Sequence, residues 1–275
     1  MSSQQIPGTF KEMERTGWHE RAPSYDARVG RRTRTIAARL VDAVGAGPGK
    51  RFLDVCCGPG YSAGEATARG ADALGVDIAP AMVEEARRLF PQANFRVGDA
   101  EALDLPDASL DAVVCAFGML HLPQPERAIA EVFRVLRPGG RYAWTVWTSG
   151  DSAPLSAIAQ QAIKDFGNLD VPLPPAPPRD LFSSERNAHA ALEAAGFVDV
   201  ASEELAITFR AANLDEVWDW YERGTVRTAA LLNLQTPEAL ERIKAGILAG
   251  AARFLGPDGL SAPHNAIMHV ARKPG

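Results

Sequence analysis

Between Arg51 and Trp147, short apolar runs alternate with segments of helical period. Arg51–Cys56 (RFLDVC), Asp72–Asp77 (DALGVD), Asn94–Gly98, Leu110–Ala116 (LDAVVCA) and Arg141–Trp147 have the length and character of buried strands. Tyr61–Arg69 reads as a helix stopped by Gly70. Ala79–Phe90 opens with Pro80 in its first turn, where a missing N–H costs nothing. Pro125–Leu136 gathers Ala128, Ile129, Val132, Phe133 and Leu136 on one side, and Pro138-Gly139-Gly140 turns the chain into the fifth strand. Strands joined by single helices predict right-handed crossovers in a parallel sheet covered on both faces. With two later strands, the expectation is a doubly wound α/β fold on a mostly parallel seven-stranded sheet.

Outside that block the pattern is weaker. The first 26 residues read as an irregular N-terminal segment containing Trp18, His19 and Tyr25. Ala27–Val44 is helical, with Ile36, Leu40 and Val44 recurring every four positions and Arg28, Arg31, Arg32, Arg34 and Arg39 on a solvated face. Residues 27–147 form the α/β core, and residues 148–275 complete the sheet. That last part opens with no regular element and carries a proline-rich arm, Val171–Pro178 (VPLPPAPP), which can be neither helix nor central strand. A helix Ser184–Ala195, a strand from Phe197 to about Phe209, a helix Asn213–Arg223, a helix Pro237–Phe254 and a strand Ala266–Arg272 follow. The helices within about 211–262 predict a cap inserted before the final strand.

The most informative loop is Phe52–Gly60 (FLDVCCGPG), where a buried strand enters a turn with Gly58 and Gly60 and then a helix. Glycines let a ligand approach closer than any Cβ permits. Gly58 to Ala63 also fits the loose dinucleotide pattern G-x-G-x-x-G/A, so a nicotinamide-dependent oxidoreductase is one reading. Asp54 argues against it, because an unpaired carboxylate beside the loop repels a pyrophosphate and favours a cationic amine. S-adenosylmethionine (SAM) offers such an amine, a sulfonium and no phosphate. Asp77 ends the second strand, where an acid accepts from both ribose hydroxyls, and Asp99 ends the third, where it accepts from an adenine amino group. Each could instead be an ordinary loop residue, but together they form a donor-reading row along one sheet edge.

These motifs resemble the class I SAM-dependent methyltransferases, closest to small-molecule enzymes of the ubiquinone/menaquinone C-methyltransferase type. The likeness is carried by Leu53–Gly60, by Gly75–Met82 (GVDIAPAM), by Gly98-Asp99-Ala100, by Leu110–Leu122 and by Arg137-Pro138-Gly139-Gly140. It covers roughly residues 25–147 and departs at Cys56, where the family often has glycine. The resemblance implies a Rossmann-like fold and SAM as cofactor, with S-adenosylhomocysteine as product. It implies that Asp54, Gly58 and Gly60 meet the methionine end and that Asp77 holds the ribose. Ile78 and Met82 then pack by the adenosine, unless they are merely core. Asp99 and Ala100 hold the adenine, and the Ala116 backbone lies beside the sulfonium. The N-terminal segment is then a lid over the cofactor.

Apolar residues make up 46% of the 275-residue chain and charged residues 23%, as in ordinary globular proteins. The net charge of -5 gives no general attraction for nucleic acid or an anionic membrane. No apolar run approaches the ~20 residues of a membrane span, and Met1–Gly8 has no signal-peptide core. Cys56, Cys57 and Cys115 give no disulfide framework, which fits a reducing, cytoplasmic setting. The oligomeric state is not readable.

Methyl transfer from a sulfonium is an in-line displacement, in which the protein mainly aligns the partners and excludes water. No metal is expected, since the five histidines show no ligand spacing. For an acidic acceptor a base helps. The catalytic candidates are His121, just after the fourth strand, and Tyr25, in the lid. The bland roles are a loop buttress for His121 and lid packing for Tyr25. Trp218, Trp220 and Tyr221 pack the cap, and one or two of them could line a pocket for a small, partly apolar acceptor. A non-catalytic SAM-binding module is the remaining alternative.

Overall fold

The computed structural model describes residues 8–275. The expectation about a signal-peptide core falls on residues outside that range. Strands β1 (Arg51–Val55), β2 (Asp72–Asp77), β3 (Asn94–Val97), β4 (Leu110–Ala116), β5 (Leu136–Trp147), β6 (Val198–Leu205) and β10 (Ala266–Arg272) form one seven-stranded sheet in the order β3-β2-β1-β4-β5-β10-β6. All neighbours are parallel except β10, which runs antiparallel to both β5 and β6. The doubly wound α/β fold read from the sequence is thus the observed one.

The alternation along each strand divides the interior in two. Leu53, Val55, Val113, Cys115 and Trp144 point into one core, against Ile129 and Val132 of the helix Pro125–Val135. Phe52, Ala112, Val114 and Ala143 point into the other, against Leu40, Ala63 and Val83. Each fully buried Leu, Val, Ile or Phe contributes about 1.5–3 kcal/mol, so both faces of the sheet are strongly anchored. The strand order reverses between β1 and β4, which opens a crevice at their carboxyl ends.

Four segments differ from the sequence expectations. Residues Phe10–Tyr25 are a continuous helix, opened by a reciprocal capping box between Thr9 and Glu12. It runs on through a single π-helical stretch, Asp26–Gly30, into Arg31–Thr33. A thirteen-residue helix, Pro154–Phe166, stands where no regular element was expected. The single strand Phe197–Phe209 is in fact two strands: β6 stays in the main sheet, whereas β7 (Thr208–Ala211) joins β8 (Leu255–Gly256) and β9 (Gly259–Pro263) in a separate sheet, order β7-β9-β8. Arg32 leaves the solvated arginine face, since it is 7% exposed and its guanidinium lies over the Phe209 and Trp220 rings.

Helices Pro154–Phe166, Leu214–Arg223 and Pro237–Ala251 share a third core with the small sheet, built on Leu155, Phe209, Trp220 and Ile247. This body stands over the crevice. Arg28 ties to it through Asp219 at 2.7 Å. No helix among the described residues is long and apolar enough to cross a membrane.

Candidate active site

The loop after β1 carries the tightest backbone of the site. Cys56 takes φ +54, a left-handed conformation costly for a residue with a Cβ, at the position where the resembled family often has glycine. Gly58 (φ +50) and Gly60 (φ +85) follow. The two glycines do different work. A Cβ on Gly58 would meet nothing within 4 Å, so that face of the loop is open, whereas a Cβ on Gly60 would run into the Phe95 ring at 2.5 Å. Gly58 lines the crevice. Gly60 instead lets the helix Tyr61–Ala68 start close against Phe95.

Asp77 lies on the crevice wall. Its Oδ2 accepts the Gly58 N–H at 2.8 Å and its Oδ1 the Ala79 N–H at 2.9 Å. Each oxygen keeps a lone pair for a further donor. Burial raises its carboxyl above the ordinary range, opposed by those backbone N–H groups and by His121. Asp54 is placed otherwise. It is 1% exposed beneath the loop and off the crevice wall, with Oδ2 accepting the Ala63 N–H at 3.1 Å and Oδ1 unpartnered. Burial pushes its carboxyl up to about 8. At neutral pH it is mainly the neutral acid, so the negative potential at the crevice comes from other carboxylates.

The remaining sequence candidates fall into two adjoining cavities, of about 170 and 30 Å³. The larger one reaches Ile78, Met82 and Ala116. Met82 also packs under Ala22 and Trp18 of the N-terminal helix, so it is core and wall at once. The smaller branch, about 30 Å³, runs to Asp99 and Ala100. Here the N-terminal helix intervenes: Lys11 Nζ stands 2.6 Å from Asp99 Oδ2 and 2.5 Å from Glu101 Oε2. A cavity of ~150 Å³ accommodates only a benzene, so a purine enters this branch only if Lys11 swings aside.

The same helix supplies a residue that the sequence reading missed. Glu14 is 3% exposed, and its Oε2 stands 2.9 Å from His121 Nδ1. The pair is close but poorly aimed for a hydrogen bond, and both Glu14 oxygens lack any other partner. The His121 ring lies edge-on to Trp18 at 5.0 Å between centroids and borders both cavities. Tyr25 also lines the larger cavity, and burial pushes its phenol up to about 12. It is therefore a hydrogen-bond donor at neutral pH and unsuited to be a base.

The cap closes the opposite side. Of the three aromatic residues expected there, Trp220 reaches the cavity wall, while Trp218 and Tyr221 are packed in the cap core. The Tyr221 hydroxyl donates to the Leu155 carbonyl at 2.7 Å. Trp147, stacked on Phe117 at 4.0 Å between centroids, adds a second apolar wall. Among the described residues no group of three or more His, Cys, Asp or Glu side chains is arranged to hold a metal ion.

Comparison with known proteins bears on the domain and the fold. Residues 53–144 match the family model described as "Methyltransferase domain". The demethylmenaquinone methyltransferase of Renibacterium salmoninarum is 40% identical over 125 residues, 44% of this chain and 52% of that protein. The chain thus spans about half the length of the curated relatives it matches. Among solved structures, the YcgJ protein from Bacillus superposes with a TM-score of 0.55 at 19% identity, over 88% of this chain and 99% of that one. Phosphoethanolamine N-methyltransferase 2 of Haemonchus contortus, solved with S-adenosylhomocysteine, gives 0.53 at 19% identity, over 88% of this chain and 53% of that one.

Proposed function

We propose that the chain is an enzyme that uses SAM to methylate a small, partly apolar acceptor, with His121 as general base; the match of residues 53–144 to a methyltransferase domain supports the reading. The observation that carries the reading is Asp77, at the end of β2 on the crevice wall. It is pinned by two backbone N–H groups yet faces the crevice with lone pairs to spare, beside a Gly58 face with no Cβ.

SAM supplies a methyl group already activated on a sulfonium, so the chain's own residues have to bind, orient and exclude water. In this reading Asp77 accepts from the ribose hydroxyls, and Ile78 and Met82 pack on the nucleoside. Asp99 and Ala100 take the adenine once Lys11 releases Asp99. The backbone of Gly58 lies along the methionine end and that of Ala116 near the sulfonium, while Asp54 and Gly60 support the loop from below. Trp147 and Trp220 shield the acceptor from bulk water. With Nδ1 turned to Glu14, Nε2 of His121 is the nitrogen left to take the acceptor's proton, and Glu14 holds the ring and steadies the imidazolium. Tyr25 can donate a hydrogen bond to the acceptor. A cytoplasmic, reducing setting belongs to the same proposal, since all three cysteines are free.

Replacing Asp77 with alanine is expected to weaken SAM binding by ~1–3 kcal/mol, through lost charge-assisted hydrogen bonds. Calorimetric titration of SAM into native and Asp77→Ala protein measures it. Asp77→Asn, which keeps an acceptor for the loop, should fall between them. An unchanged dissociation constant in Asp77→Ala would remove the residue from the site and with it the nucleoside reading. Transfer of labelled methyl from SAM into fractionated metabolite extracts tests the activity itself.

A further inference from the structure

The cavity carries charges of both signs. Its acidic lining residues are Asp77, held by two backbone N–H groups, and Glu14 of the N-terminal helix, close to His121. Its basic lining residues are two arginines, Arg179 just past the proline-rich arm and Arg227 from the first turn of the cap helix Arg227–Asn233. Neither arginine takes part in an ion pair among the described residues. The contrast with Arg134, which holds Glu131 and Asp107, is sharp.

Arg227 is the deeper of the two. Arg227 Nη1 is buried with no hydrogen-bond partner, and the rest of the group rests on the Phe10 ring at 5.5 Å. Arg179 is exposed and borders three adjoining cavities. The surrounding mass nonetheless withdraws solvent from it, which lowers its pKa from the ordinary guanidinium value. A cation held away from bulk water without a counter-charge costs free energy. A ligand anion that arrives between two such groups recovers part of that cost. The walls beside them are apolar, formed by Val29, Leu120, Trp147 and Trp220.

We propose that Arg179 and Arg227 form an anion-reading subsite that selects acceptors bearing a carboxylate on an apolar body. This deepens the methyltransferase reading and rests on it for the word acceptor, although the subsite itself is a property of this chain alone. Each arginine presents a planar fork of donors suited to a carboxylate. Arg179 would then link the proline-rich arm to specificity and explain why an irregular, proline-stiffened segment is laid across the cavity mouth.

The test uses the full chain and two matched probes, 4-phenylbutyrate and its uncharged amide, titrated by calorimetry with and without saturating S-adenosylhomocysteine. The expected result is at least tenfold tighter binding of the carboxylate. The preference should weaken with added salt, fall in Arg179→Gln and in Arg227→Gln, and vanish in the double variant. Arg179→Lys, which keeps the charge without the fork, should retain part of it. The affinity for S-adenosylhomocysteine should be unchanged in every variant, which shows that the fold and cofactor crevice are intact. Equal affinity for the two probes, no binding of either, or a preference that survives in the double variant would each overturn the subsite. Failure of S-adenosylhomocysteine to bind native protein would instead strike the methyltransferase reading and leave the probe comparison without cofactor to be judged separately.

Discussion

His121→Asn is expected to lower the rate of methyl transfer to a protic acceptor by about 10²–10⁴-fold, the range spanned by a positioned general base, while SAM affinity changes less than twofold. The asparagine keeps a polar side chain of similar reach but cannot take up a proton at neutral pH. Glu14→Gln should cost less, since the carboxylate acts through the ring. It neither touches the acceptor nor receives its proton, and its loss removes the counter-charge for the imidazolium formed at His121. Single-turnover transfer of labelled methyl, with the acceptor and SAM both saturating, separates these effects from binding. A fall of less than threefold in His121→Asn would make the residue a wall of the cavity, as its edge-on contact with Trp18 alone would suggest. The 2.9 Å approach of Glu14 argues for more, because it places a carboxylate beside Nδ1 where an imidazolium formed during transfer needs a counter-charge.

That pair also marks the limit of what the sequence discloses. The strands β2, β4 and β10 and the helices opened by Pro80 and Pro125 were legible nearly to the residue, because their apolar runs and proline starts are local signals. The helix Phe10–Tyr25 was not. Its buried side is made of Phe10, Met13, Glu14, Gly17 and Ala22, which puts a carboxylate and a glycine where a stripe of large apolar residues would have announced it. Both exceptions are tertiary. Gly17 is there because a Cβ would meet Val226 of the cap at 2.4 Å, and Glu14 is there to meet His121. Pro154–Phe166 buries Leu155 and Ile163 with the small Ser156, Ala159 and Ala162 between them, which dilutes the apolar stripe.

The row of acids at the strand ends was legible as a row, yet its members differ in ways that only burial decides. Asp77 faces the crevice, Asp99 is held by Lys11, and Asp54 lies beneath the loop. The electrostatic preference for a cationic nucleoside therefore rests on Asp77 and on Glu14, a residue that no motif points to. Arg179 and Arg227 were equally silent in the sequence, one inside a proline-rich segment and one at the start of a short helix. What distinguishes them from the chain's other unpaired arginines is that they line the cavity, which is a fact of three dimensions.

Asp54 provides the second large effect. Its folded-state carboxyl lies near 8 against an ordinary value of about 4, because burial disfavours the charge more than the single Ala63 N–H favours it, with nearby Asp77 adding repulsion. A carboxyl raised in the folded state contributes stability that is complete below the unfolded value and is lost as pH rises through the folded value. Between about pH 4 and pH 8 the unfolded chain is ionised while the folded one still holds its proton, so the native protein should lose ~1.4 kcal/mol per pH unit from this site. Asp54→Asn cannot ionise in either state and keeps an acceptor for Ala63. Its stability advantage over the native chain should therefore widen by ~2–3 kcal/mol between pH 5 and pH 7 and become level above about pH 8.5. Urea unfolding of both proteins at matched pH measures the gap, and the buried histidines shared by the two cancel from it. A gap that stays flat from pH 5 to pH 7 would mean that Asp54 is ionised in the fold. The loop after β1 would then carry a standing negative charge at its base, and the cation preference would belong to Asp54 after all.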